Sequence, residues 1–383
     1  MKIAVASIFD PWNAQSWSGC SSNLLRALVD DYGATIFALG PIKAPHPFRN
    51  RIVAELSLKL GRNYIPEFTE PSLRHFAAQT AEKLKEIDCD CVLALDGQTI
   101  AYLKTDVPVY YFWDCTFEGN LEYPWFTKLA APSLAAGHAI ERNAVRNARM
   151  SFYSSKWAVD SAVRTYGADP HRTKIVPLAA NINGDRTRVD VEKLISGRST
   201  EAIQLLFLGI DWLRKGGDLA LEVARELNAR GTPTVLHVVG CAPEQASDIP
   251  DFVRLHGFLD KGVPGELAQL ESLIGSAHFL VVPSLAESFG AVFAEASSFG
   301  TPSLARRVGG VDSVVEESVN GFLFDRHASA MEYCDTIESL WKDPERYRDL
   351  ARSSFRHFRE RLTWTYSAGK LLQYIREDLR RGA

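Results

Sequence analysis

Two carboxylates, Glu287 and Glu295, stand with seven residues between them in a run that reads Leu-Val-Val-Pro-Ser-Leu-Ala-Glu-Ser-Phe-Gly-Ala-Val-Phe-Ala-Glu-Ala from Leu280. Phe-Gly-Thr-Pro and Val-Gly-Gly follow, ending at Gly310. The apolar stretch ending at Pro283 predicts a buried strand of a parallel sheet, and Ser288 is placed to cap a helix that begins immediately after it. Phe289, Val292, Phe293 and Ala296 recur at i, i+3, i+4 and i+7 and predict the stripe that packs on the sheet. At about 100° per residue, Glu295 lies roughly 20° from Ser288 around the axis, so it shares a face with the helix start. Carboxylates beside free N–H groups, at the carboxyl end of a parallel strand, suit an anionic ligand that also carries several hydroxyls.

A second segment, Phe207-Leu-Gly-Ile-Asp-Trp-Leu-Arg-Lys-Gly-Gly-Asp218, ends one predicted strand and opens a helix. Glycines in that geometry let the backbone come close to phosphate. Ser16-Trp-Ser-Gly-Cys-Ser-Ser-Asn-Leu-Leu occupies the same position after the first predicted strand, although a helix cap by Ser18 or Ser21 explains the letters equally well. Tyr111-Phe-Trp-Asp-Cys-Thr-Phe117 places Asp114 and Thr116 at the carboxyl tip of another strand, and Gly137-His138-Ala-Ile-Glu141 sits on a predicted helix.

The elements that must position these residues alternate. In the first half, strands are predicted over 2–9, 34–39, 91–95, 107–113, 150–155 and 174–178, with helices over 20–31, 70–87, 122–148 and 156–166. In the second half, strands fall at 203–209, 234–239, 253–258, 278–283 and 302–305, with helices at 217–229, 264–276, 289–299 and 311–317. Strands alternating with helices imply parallel pairing, so each half reads as a doubly wound α/β sheet. Residues 180–200 are polar and read as a linker, and the tail from about 329 to 383 reads as helical and charged, which gives domains at 1–180 and 201–360 and a final helix over 361–383.

At 383 residues the chain suits two domains, and 46% hydrophobic with 23% charged residues supplies two cores. A net charge of −4 argues against a general nucleic-acid binder. Cysteines at 20, 89, 91, 115, 241 and 334 show no zinc-ligand spacing and read as free thiols of a reducing compartment, hence a cytoplasmic protein. The N-terminal run ends at Asp10 and reads as a strand, not a signal peptide, and no apolar run approaches the length of a membrane span. Peripheral contact with the inner membrane face stays open.

Glu287 and Glu295, with Ser-Phe-Gly after the first, Gly-Thr-Pro at 300–302, Gly309-Gly310 and Asn320-Gly321, resemble the E-x7-E motif of retaining glycosyltransferases of family 4. That resemblance implies the GT-B fold, two Rossmann-like domains facing a central cleft, with the last helix crossing back onto the first domain. It implies transfer of a sugar from a nucleotide-sugar donor to a hydroxyl acceptor, with no metal or other cofactor, in glycan, polysaccharide or glycolipid synthesis. The acceptor would be a glycan, a lipid-linked or a small-molecule hydroxyl.

By the same resemblance Lys215 matches the lysine of G-R-x-x-x-x-K-G that neutralises the donor diphosphate. Ile210 stands where the arginine is usual, leaving Arg214 to replace it. Gly209 and Gly19, with Ser288, Phe289 and Gly290, would approach the diphosphate through their backbone. Gly240, Gly257 and Phe258 would lie against the nucleoside, read through main chain, so the base stays open. Glu287 would hold the sugar hydroxyls, Glu295 the ribose, Asp114 the acceptor side and His138 the transferred sugar. Two other functions remain open on the residues alone: a sugar-nucleotide epimerase of the same fold, and a nucleotide-sugar-binding scaffold that the departure at Ile210 would suit.

Overall fold

A computed structural model describes residues 1–43, 48–121, 123, 126–182, 184–243 and 249–382. The chain divides into two compact units, Met1–Leu178 with Trp364–Ala383, and Ala179–Thr363.

The first unit runs β1 Lys2–Ala6, α1 Cys20–Asp30, β2 Thr35–Ala38, α2 Phe48–Lys59, α3 Glu70–Leu84, β3 Cys91–Ala94, β4 Val109–Trp113, α4 Phe117–Asn120, α5 Ala131–Asn147, β5 Met150–Tyr153, α6 Lys156–Tyr166 and β6 Thr173–Ile175. Its sheet has the order β2-β1-β3-β4-β5-β6 and every pairing is parallel. Parallel strands are covered on both faces, and here β1 from Ile3 and all of β3 and β5 are buried.

The second unit continues with α7 Arg188–Ser196, β7 Ile203–Leu208, α8 Trp212–Lys215, α9 Gly217–Ala229, β8 Thr234–Val239, β9 Val253–Leu255, α10 Pro264–Ser276, β10 Phe279–Val282, α11 Ala291–Ser297, β11 Ser303–Arg306, β12 Gly321–Phe324, α12 Ala330–Trp341 and α13 Pro344–Arg361. Its sheet, also wholly parallel, has the order β12-β11-β10-β7-β8-β9. The direction of winding reverses between β1 and β3 in the first sheet and between β7 and β10 in the second, the places where open α/β sheets leave a crevice at their carboxyl ends.

The final helix, α14 Trp364–Gly382, belongs to the first unit. Its Ala368, Leu371, Leu372 and Ile375 are buried. Asp378 receives the Tyr110 hydroxyl at 2.7 Å and pairs with Arg149 at 2.8 Å, and Tyr32 donates to the Thr365 carbonyl at 2.9 Å.

Several sequence expectations are corrected. Residues 180–200 do not form a linker: Ala179 onward belongs to the second unit and α7 occupies 188–196. A capping box between Thr187 and Asp190 starts that helix, and Val191 and Ile195 are its buried anchors. The helix expected at 311–317 is a single 3-10 turn, Val311–Ser313. Of the helix expected over 122–148, α5 covers 131–147, and positions 122, 124 and 125 lie outside the described residues. Strand β12 and helices α2, α4 and α8 add to the expected elements.

Candidate functional site

Between β7 and α9 the chain makes a tight excursion. Asp211 caps α8 by accepting the Arg214 N–H at 2.9 Å, and Gly216, in the left-handed region at φ +78°, ends it. A Cβ at Gly216 would stand 2.2 Å from the Pro283 carbonyl oxygen, so this turn is pressed against the end of β10 and admits only glycine. That contact sets Lys215 beside Glu287. The Lys215 ammonium donates to Glu287 Oε2, and both side chains are about nine-tenths buried. Arg214 Nη1 donates to the Ala286 carbonyl at 3.0 Å and lies 3.7 Å from the same Oε2, while Ser284 Oγ donates to it at 3.4 Å. Ile210, by contrast, is 67% exposed.

The strands that deliver this cluster are β7 and β10, the adjacent pair at which the second sheet reverses its winding. The Glu287 backbone is fixed in turn by the glycine pair. Gly310 N–H donates to the Glu287 carbonyl at 3.1 Å, and a Cβ on Gly309, at φ +53°, would fall 1.9 Å from that oxygen.

Ser288 does not occupy the expected cap position. Gly290 is the N-cap residue of α11, with no side-chain cap bond, and the helix begins at Ala291. Ser288 and Phe289 are buried in the turn before it, so the last strand residues and the first helix turn are separated by a longer irregular stretch than the apolar spacing implied. Phe289, Phe293 and Ala296 are buried as the stripe requires, and Val292 is half-buried. Glu295 is 3% exposed, and its Oε1 accepts from Lys261 Nζ at 2.5 Å and from the Asn181 N–H at 3.2 Å. Lys261 is a member of the site that no motif announced. The available signal was its position just beyond the strand expected at 253–258; Lys215, by contrast, was singled out by the family motif it matches.

Gly240 N–H donates to the Gly257 carbonyl at 2.8 Å, which brings together two of the segments expected at the nucleoside, and Phe258 is 66% exposed beside them. Beneath runs a chain of polar groups: His237 Nδ1 is 2.9 Å from His256 Nε2, and His237 Nε2 is 2.9 Å from Gln204 Oε1.

In the first unit Trp17, Ser18 and Gly19 have positive φ in succession, and Gly19, at φ +88°, and not Ser18 or Ser21, is the N-cap residue of α1. Trp17 stacks on Trp113 with ring centroids 4.6 Å apart. Asp114 follows β4, and its Oδ1 accepts the Cys115 N–H at 2.9 Å. His138 Nδ1 is 2.9 Å from the Tyr166 hydroxyl, and its ring meets that of Phe117 edge-on at 5.1 Å. One turn further along α5, the buried Glu141 accepts from the Tyr153 hydroxyl at 2.6 Å and from the Phe117 N–H at 3.1 Å. Glu141 therefore anchors the loop after Asp114 to the helix that carries His138, a role the sequence did not show. Asp96, after β3, accepts the Ile8 and Thr99 N–H groups at 2.8 and 2.9 Å, across the point where the first sheet reverses.

These buried groups give the two units opposite acid responses. Burial pushes Glu141 up to about 7 and Asp96 up to about 6, so the stability they contribute is full below the unfolded carboxylate range and is lost as pH rises through those values. Burial pushes His237 down to about 4, and likewise His278, whose Nδ1 accepts the Gln204 N–H of β7 at 2.9 Å, so their contribution is full above about 6.5 and is lost as pH falls towards 4. Lowering the pH from about 7.5 to about 5 is expected to strengthen hydrogen-exchange protection in β3 and β5 while weakening it in β7 and β8, once intrinsic exchange rates are corrected. Glu141→Gln should flatten the first response and His278→Asn the second. Parallel changes in both sheets would refute the assignment.

Comparison with known proteins adds to this geometry. Residues 190–357 match the family described as Glycosyl transferases group 1, so the second unit carries a domain of that kind. D-inositol 3-phosphate glycosyltransferase of Rhodococcus opacus (strain B4) is 31% identical over 233 residues, covering 57% of this chain and 50% of the relative. The chain thus spans about half the length of the curated relatives it matches. Among solved structures, sucrose-phosphate synthase from Thermosynechococcus elongatus aligns with a TM-score of 0.70 at 18% identity over all of both chains. Anabaena HepE in complex with UDP-glucose aligns with a TM-score of 0.63 at 16% identity, covering 98% of this chain and all of the other. The two parallel-sheet α/β units are those of GT-B glycosyltransferase structures.

Proposed function

We propose that this chain is a retaining glycosyltransferase of family 4 that moves a sugar from a nucleotide-sugar to a hydroxyl acceptor without a metal ion. The observation that carries the reading is the buried pairing of Lys215 with Glu287 at the reversal point of the second sheet. Bond breaking leaves charge on a diphosphate, so the catalytic demand is electrostatic. An ammonium has three donors: Lys215 can keep Glu287 and still reach phosphate oxygens, with Arg214 in reserve. Glu287, held by those cations, orients sugar hydroxyls, and Glu295 takes the ribose; neither acts as a nucleophile. The acceptor attacks from the face that the diphosphate leaves, and the leaving phosphate takes its proton. Asp114 is assigned to the acceptor and His138 to the transferred sugar.

The name of the curated relatives supports a small phosphorylated polyol as one acceptor to test, and the UDP-glucose held by HepE supports uridine donors first. Asp88-Cys-Asp90, the only D-x-D spacing, lies at the amino end of the sheet, where Asp88 pairs with Lys2 at 2.6 Å and Asp90 accepts the Lys2 N–H at 2.7 Å. No described helix is long and apolar enough to cross a membrane. The exposed Ile52, Leu56 and Leu58 of α2 support peripheral contact with a membrane face.

Calorimetric titration with UDP, GDP and ADP, followed by transfer assays in EDTA, tests the proposal. Glu295→Ala is expected to weaken nucleoside diphosphate binding about 10- to 100-fold, the range for a lost charged hydrogen bond. Glu287→Ala should leave that affinity near wild type while transfer falls. Loss of turnover in EDTA, restored by Mn2+, would overturn the metal-free reading. Binding without any sugar transfer would favour the scaffold reading, which the exposed Ile210 supports.

A further inference from the structure

Each glutamate of the E-x7-E pair is held by a lysine from a different loop: Glu287 by Lys215 after β7, and Glu295 by Lys261 after β9. The second pair has its own construction. Asp260, just before the lysine, is locked in a turn: its N–H donates to Glu266 at 2.6 Å, its Oδ1 accepts the Gly262 N–H at 2.8 Å, and its carbonyl accepts the Val263 N–H at 3.0 Å. Lys261 is thereby mounted on the turn that leads into α10 and reaches across 34 residues of sequence to Glu295. The lysine side chain is 37% exposed and the glutamate 4%.

The hydrogen bonds from Lys261 and from the Asn181 N–H both end on Oε1 of Glu295. With that oxygen held from two sides, rotation of the carboxylate is arrested and the direction in which Oε2 accepts is set. Orienting a single oxygen in this way converts a buried anion into a directional acceptor for the adjacent hydroxyls of a ribose, at little entropic cost on binding. We infer that Lys261 is a positioning residue that sets the preference of this site for ribonucleotides over 2′-deoxyribonucleotides. The inference rests on the assignment of Glu295 to the ribose.

The experiment compares affinities for UDP, GDP and ADP with those for dUDP, dGDP and dADP in the full chain, for wild type, Lys261→Met, Lys261→Arg and Glu295→Ala. For the base that binds, wild type should prefer the ribose form by about tenfold, the lower end for a charged hydrogen bond, and Glu295→Ala should bring that ratio close to one. Lys261→Met should reduce the ratio to about twofold, while Lys261→Arg, which keeps a cation on the same turn, should restore most of it. A Lys261→Met variant that keeps the wild-type ratio overturns the inference, whether or not both affinities fall together. A uniform fall would mark Lys261 as a phosphate contact. If Glu295→Ala itself leaves the ratio unchanged, the ribose assignment fails, and the inference about Lys261 falls with it.

Discussion

Lys215→Ala is expected to lower the rate of sugar transfer at least about 100-fold, equivalent to about 2.7 kcal/mol of lost transition-state stabilisation, with a smaller loss in donor affinity. Charge on the leaving diphosphate grows as the glycosidic bond breaks, so a fixed cation gains interaction energy along the reaction coordinate. The site magnifies this. The ammonium sits in a largely water-excluded position beside Glu287, and the exposed Ile210 offers no second charge where the family motif has an arginine. Removing the lysine also leaves Glu287 with Arg214 as its nearby cation, at 3.7 Å. Arg214→Ala then tells the two cations apart. A comparable loss marks its guanidinium as a second phosphate contact, whereas no loss confines it to bracing the Ala286 carbonyl. If Lys215→Ala transfers sugar at the wild-type rate while remaining folded, the phosphate assignment of residues 209–218 is wrong.

Gly309→Ala should be as damaging to transfer although residue 309 carries no functional group. Its Cβ would stand 1.9 Å from the Glu287 carbonyl oxygen, and φ +53° is costly for alanine, so the backbone carrying Glu287 must move. Displacement of a positioning group by about 1 Å costs roughly 100-fold in rate, and that is the expected loss. Gly231→Ala provides the control. Gly231 has φ +79°, and a Cβ added there would have nothing within 4 Å, so alanine meets the conformational cost without a clash. It should lower stability by about 1–2 kcal/mol and leave turnover unchanged. Wild-type turnover in Gly309→Ala would show that the glycine pair does not fix Glu287.

Long buried strands were legible because a parallel strand covered on both faces reads as an apolar run; β4 and β10 do so without a break, and in β7 and β8 a single polar residue, Gln204 or His237, interrupts a run that is otherwise almost wholly apolar. Strand β12 was not: Gly321–Phe324 is a short edge strand, half-buried after its glycine. Helix α7 was hidden by its polarity, since Val191 and Ile195 alone of its nine residues are buried. At the site, Glu287, Glu295 and Lys215 were legible as types at a spacing, but their partners were not. The Lys215–Glu287 contact spans 72 residues, Asn181 reaches Glu295 across 114, and the Phe117 N–H reaches Glu141 through folding of the first unit. No local pattern encodes such contacts. Ser288 failed as a cap for a local reason: Gly290 takes φ +91°, which turns the chain before the helix can begin.

The first unit is assembled from residues 1–178 and 364–383, and this has a consequence during synthesis. Asp378 is translated about 200 residues after β6, which at 5–20 residues per second means roughly 10 to 40 s. Throughout that interval the surface that receives Ala368, Leu371, Leu372 and Ile375 is uncovered on the nascent chain, and Tyr110 and Arg149 wait for their carboxylate. The second unit, continuous from 179 to 363, can close as soon as it clears the ribosome. The part of the molecule made first is thus the part finished last, and a ribosome stalled between residues 178 and 364 would display that uncovered surface to the chaperones of the cell.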